Sequence, residues 1–97
     1  MKPDAIIEIR LKTTLEGGRQ GAIVITQHPF GCPLFVDGEA FDCRFLVENQ
    51  TLELGNTYKL PIKFLRPDLV LSKLSVGKSL TLWEGKDIAT GKILRLE

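Results

Sequence analysis

Ile7-Glu8-Ile9-Arg10-Leu11-Lys12 decides the fold: its odd positions are apolar and its even positions charged. Side chains of a strand point alternately to two faces, so this run reads as a strand with one buried and one wetted face. The same alternation recurs in Phe41-Asp42-Cys43-Arg44-Phe45 and in Tyr58-Lys59-Leu60-Pro61-Ile62-Lys63-Phe64. Ala22-Ile23-Val24-Ile25 is a short β-branched run expected to be buried on both faces. Ser79-Leu80-Thr81-Leu82 and Ile93-Leu94-Arg95-Leu96 read as the arms of a terminal hairpin.

Turn residues separate these runs: Glu16-Gly17-Gly18-Arg19, Pro29-Phe30-Gly31, Asp37-Gly38, Gly55-Asn56, Arg66-Pro67-Asp68, Val76-Gly77-Lys78 and Glu84-Gly85-Lys86-Asp87. Glycine supplies a positive φ and proline fixes φ, so each stretch turns the chain for a stated reason. About six strands at this spacing predict a sandwich or a barrel, and closure is the commoner way for so small a sheet to remove its open edges. Pro61 takes one donor out of its ladder and therefore predicts an edge or a bulge there. Asp68 to Ser75 reads as a short connection, with Pro67 suited to a first helical position. The expected architecture is all-β, a closed antiparallel barrel, with residues 1–97 forming one domain.

Composition narrows the function classes. The 97 residues are 43% hydrophobic and 26% charged, an ordinary balance for a folded domain. Thirteen Lys and Arg stand against 12 Asp and Glu, far from the basic excess of a dedicated nucleic-acid binder. No apolar run approaches the roughly 20 residues of a membrane span, and Glu8 and Arg10 interrupt the N-terminal stretch that begins at Met1. A cytoplasmic protein with reduced thiols is the expectation. Two cysteines and one histidine, without CxxC or HxxxH spacing, predict neither a metal site nor a cofactor.

Few residues carry candidate chemistry. Gly77-Lys78-Ser79 imitates the end of a phosphate-binding loop, but Ser72 stands where its first glycine belongs and a strand follows instead of a helix. Nucleotide hydrolysis is therefore not expected. His28 is the sole histidine, so any Ser-His or Cys-His dyad must use it, and nothing beyond residue type signals one. Cys43 shares the parity of Phe41 and Phe45 and reads as a core residue, whereas Cys32 is placed in a loop as the more reactive thiol. Glu16-Gly17-Gly18-Arg19 reads as a hairpin turn whose opposite charges pair with each other or reach a ligand. Trp83 has the opposite parity to Leu80 and Leu82 and should point outward, where tryptophan suits a binding anchor. Lys59 and Lys63 share an outward face and, with Arg66, form a small basic stripe.

Several of these motifs together resemble one family. Glu16-Gly17-Gly18-Arg19 follows a first strand from Ile7 to Thr14; Pro29 comes next, then Leu54-Gly55-Asn56, a strand to Leu65, and Arg66-Pro67. Trp83-Glu84-Gly85-Lys86-Asp87, with Gly91, closes the series. In this order the chain, from about Asp4 to Leu96, resembles the C-terminal β-barrel domain of elongation factor Tu and related translation GTPases. The resemblance implies a six-stranded antiparallel barrel and, through Arg19, a contact with structured RNA. It does not bring GTP hydrolysis, because the family's GTPase domain has no counterpart here. The family's His-Thr-Pro-Phe is Gln20-Gly21-Ala22-Ile23 in this chain, its Tyr-Arg is Gln27-His28, and the arginines of its closing hairpin are Trp83 and Asp87.

The resulting order of expectations begins with a stand-alone, non-enzymatic interaction domain without catalytic residues. It binds a protein partner through Glu16, Arg19, His28 and Trp83, as a translation-related regulator or an immunity-type protein would. Weak binding of tRNA-like RNA through Arg19, Lys59, Lys63 and Arg66 comes second. A small enzyme using His28 and Cys32 comes last.

Overall fold

Barrel closure rests on the alternating runs. The computed structural model describes residues 2–97; Met1, where the N-terminal reading starts, lies outside them. The strands are β1 (Ala5–Leu11), β2 (Ile23–Ile25), β3 (Gly31–Val36), β4 (Glu39–Phe45), β5 (Gln50–Leu52), β6 (Thr57–Phe64), β7 (Ser79–Trp83) and β8 (Asp87–Leu96). Six of them form a closed barrel in the order β1-β6-β4-β3-β7-β8, in which every neighbouring pair is antiparallel. Ala5, Ile7, Ile9 and Leu11 of β1 point inward and are fully buried, as the period of two predicts. Leu34, Phe45, Leu60, Ile62, Leu82 and Ile93 fill the same interior. Each such side chain stabilises the fold by roughly 1.5–3 kcal/mol on removal from water.

β1 has partners on both sides, β6 and β8, and it seals the barrel. The β1–β8 approach is close at one point: a Cβ on Gly91 would lie 1.8 Å from the Glu8 carbonyl oxygen. Only glycine fits there without moving the backbone. The β3–β4 hairpin turns on Asp37 and Gly38, both with positive φ (53° and 78°), the geometry that a two-residue hairpin with right-handed strand twist requires.

Several local expectations are corrected. Ile23–Ile25 is not buried on both faces: it alternates, with Ile23 and Ile25 buried and Val24 exposed. It pairs with β5 in a separate two-stranded ribbon whose inner side chains join the barrel core, so only one face is covered. Cys32 is not in a loop. It lies inside β3, a strand hidden from the sequence by Gly31 and Pro33. Pro33 sits just outside the short β3–β7 ladder at Leu34 and Phe35, where its missing N–H breaks no bond. The terminal hairpin is displaced: β7 pairs with Asp87–Lys92, while Ile93, Arg95 and Leu96 pair with β1. Pro61 needs neither a bulge nor a free barrel edge. Its carbonyl accepts from Leu46 N–H (2.8 Å) just beyond the end of β4, so the lost donor faces a point where the ladder has stopped. The connection after β6 contains a helical turn, α1 (Pro67–Val70), with Pro67 in its first turn and Val70 buried, continued by a 3-10 turn over Leu71–Lys73. Among the described residues no helix is long and apolar enough to cross a membrane.

Candidate functional site

Glu16-Gly17-Gly18-Arg19 does not form a simple hairpin turn. Thr13 caps a single 3-10 turn over Thr14–Glu16: its hydroxyl accepts from Glu16 N–H (3.3 Å), and the Glu16 carboxylate accepts from Thr13 N–H (2.8 Å). Gly17 ends the turn in the left-handed region (φ 91°). A Cβ on Gly18 would lie 2.4 Å from the Lys12 carbonyl oxygen, so both glycines are dictated by geometry. Glu16 and Arg19 do not pair with each other. Glu16 takes a hydrogen bond from Arg10 (2.9 Å). The Thr13 backbone hydrogen bond, with Arg10 second, holds its carboxyl below the ordinary 4.5.

Arg19 turns back onto the barrel. Its Nη1 donates to Glu84 (2.5 Å) in the β7–β8 turn and its Nε donates to the Gly21 carbonyl (3.1 Å). The guanidinium lies 6.0 Å from the centroid of the Phe30 ring, and Phe30 packs on buried Phe45 at 5.4 Å. The Arg19 side chain is 25% exposed. The arrangement is a clasp that ties the turn after β1 to the β7–β8 turn over an aromatic floor.

His28 is exposed in the bend before β3 and makes no side-chain hydrogen bond or ion pair among the described residues. Cys32, proposed as its partner, points instead into the core directly across from Cys43. The Cys43 thiol donates to the Cys32 carbonyl (3.4 Å), and both cysteines are free. The Cys32 side chain beside it, followed by burial, pushes the Cys43 thiol upward, which keeps it protonated. His28 and Cys32 are therefore on opposite sides of the barrel wall. Among the described residues no three His, Cys, Asp or Glu side chains are grouped to hold a metal ion.

The basic residues are interleaved with carboxylates. Lys59 lies in register with Glu8, which is flanked on its other side by Lys92. Lys63 is 3.3 Å from Asp4 and Arg66 is 3.7 Å from Asp68. Arg19 is held in its clasp and does not extend this row.

Trp83 points outward, as its parity predicts. It ends β7 at an irregularity between Leu82 and Trp83, where the ladder to β8 shifts register. Its indole is 6.4 Å from Phe35, tilted by 60°, and the residue is 42% exposed. The two rings border an open groove of about 500 Å³, lined also by Asp37, Ser79, Thr81 and Asp87. Asp37 is ion-paired to Lys78. Asp87 stands across the hairpin from Trp83 and has no ion-pair partner among the described residues. A second groove, of about 570 Å³, lies where Gly31 leaves the outer face of β3 uncovered between Pro29, Pro33, Arg44 and Leu65.

Phe30, Glu84, Asp37 and Asp87 are read from the sequence only as turn residues and Phe35 is not marked at all, so none of the five is among the expected site residues. Phe35 had a usable signal: Cys32, Leu34 and Val36 are apolar at alternate positions, which places Phe35 on the outer face. Glu84 had none, since its partner is 65 residues away. No protein-family model matches the chain, and no curated protein matches it.

Proposed function

We propose that this barrel is a non-enzymatic interaction module of the cytoplasm that binds a protein partner through the outer face bearing Trp83. The observation that carries this reading is a half-exposed indole beside Phe35 on an open groove. Tryptophan anchors bind by burying a large rigid surface at small entropic cost, and they concentrate binding energy at the centre of interfaces. Arg19 and Glu16 enter this reading as residues that shape the neighbouring turn, because both are engaged within the chain. His28 adds an exposed, unengaged side chain before β3. The likeness of the turns to translation-factor barrels makes a component of the translation apparatus the first partner class to test. RNA is the less favoured partner, since Lys63 and Arg66 each face a carboxylate, which lowers the counterion release that drives phosphate binding.

The test is affinity capture from lysate with wild type, Trp83→Ala and Lys59→Ala/Lys63→Ala, each with and without ribonuclease. A protein held by wild type and by the double lysine variant, reduced at least tenfold by Trp83→Ala and indifferent to ribonuclease, is the expected result. Capture abolished by ribonuclease, or no protein that depends on Trp83, overturns the reading.

A further inference from the structure

Twice on its surface this chain places a cation of its own between an aromatic ring and a carboxylate. Arg19 lies over Phe30 and pairs with Glu84. Lys73 lies 5.8 Å from the Phe41 centroid and pairs with Glu39 at 2.7 Å. The pairing has a physical basis: the negative face of the ring and the carboxylate attract the same positive group from two directions.

The Trp83 groove repeats the two receiving elements. Trp83 and Phe35 supply the rings, and both charged residues that line the groove, Asp37 and Asp87, are acidic. Among the described residues, however, no cation of the chain lies over the Trp83 ring. Lys78 reaches Asp37 only, which leaves Asp87 with its charge unmatched on the same face as the indole. Resting on the partner-binding reading above, we infer that this groove takes an arginine side chain from the partner protein, stacked on Trp83 and hydrogen-bonded to Asp87. Arginine fits better than lysine because its planar guanidinium can lie flat on an indole while its N–H fork meets a carboxylate at the edge. The Ser79 and Thr81 hydroxyls on the same wall can accept the remaining N–H groups.

Trp83 is the single tryptophan of the sequence, so its indole signal reports on this groove alone. The experiment titrates the ¹⁵N-labelled full chain with the blocked peptide Gly-Gly-Arg-Gly-Gly, its citrulline counterpart, its lysine counterpart, and spermidine, following the indole N–H. The arginine peptide is expected to give a saturable shift with Kd on the order of 1 mM, as a single-residue contact should. The citrulline peptide should bind at least tenfold more weakly and the lysine peptide between the two. Asp87→Asn, checked for an otherwise unchanged amide spectrum, should weaken the arginine peptide at least fivefold. Equal shifts from arginine and citrulline peptides, or full affinity in Asp87→Asn, overturn the inference; so does spermidine binding tighter than the arginine peptide, which would assign the groove to a free polyamine. The two readings fail separately. Trp83-dependent capture without an arginine response removes this inference and leaves the partner-binding role standing, whereas an arginine response without any Trp83-dependent protein removes the role itself.

Discussion

Arg19 and Trp83 are treated in opposite ways by the rest of the chain. Arg19 sits on a turn fixed by two glycines and a capping box, then folds back over Phe30 to meet Glu84. Two of its donors, its charge and the face turned to Phe30 are engaged within the molecule. Trp83 sits at an irregular strand end beside Phe35, and its neighbour Asp87 has no counter-charge among the described residues. Both places join an aromatic ring to a carboxylate on the β7–β8 hairpin; one is completed by the chain itself and the other is not. The contrast separates a residue engaged within the barrel from a residue left half-exposed on it, and composition alone makes no such distinction between a surface arginine and a surface tryptophan.

The harshest way to break the comparison is to remove the floor beneath the clasp. Phe45 is fully buried and carries Phe30, so Phe45→Ala should cost about 3–5 kcal/mol through the cavity it leaves. Against a total stability of about 5–15 kcal/mol for a domain of this kind, much of the protein would then be unfolded, as urea denaturation followed by circular dichroism would show. A midpoint close to wild type would mean that the aromatic floor is not a supporting element. Arg19→Ala and Trp83→Ala sharpen the contrast. The first removes a part-buried ion pair and a ring contact and should lower stability by about 1–2 kcal/mol while leaving the response to the arginine peptide intact. The second should change stability by less than about 1 kcal/mol and abolish partner capture. Reversed phenotypes would exchange the two roles.

How much of this was legible depended on whether the signal was local. The odd-numbered residues of β1 and the Phe41, Cys43 and Phe45 series announce their burial, because alternation is written in adjacent positions. β3 was misread because two prolines and a glycine imitate a loop; what makes it a strand is the partner β4, whose register no short window shows. The clasp was half legible. The two glycines marked a sharp turn, yet the partner of Arg19 lies on another strand pair, and nearness in sequence wrongly suggested Glu16. The groove was legible only as an outward tryptophan: Phe35 reaches it through the β3–β7 pairing, and Asp87 reaches it across the β7–β8 turn.

The smallest expected effect belongs to Glu16. Its folded-state acidity lies below the ordinary 4.5, so the carboxylate contributes stability that is complete above that value and is lost as pH falls through the lower folded value. Urea midpoints measured from pH 5 downward should therefore fall less steeply in Glu16→Gln than in wild type. Identical slopes would show that the capping box adds nothing to the turn that positions Arg19.

The seam between β1 and β8 also governs how the chain reaches its native state. The first strand is paired on one flank with the last, so β1 has no complete set of neighbours until β8 has been synthesised. Loop-closure entropy over nearly the whole sequence must be overcome before those hydrogen bonds form, which places this barrel among the slow, milliseconds-to-seconds folders. Without β8, one edge of an isoleucine-rich strand lacks its hydrogen-bonding partner, the kind of open edge that invites pairing with another chain.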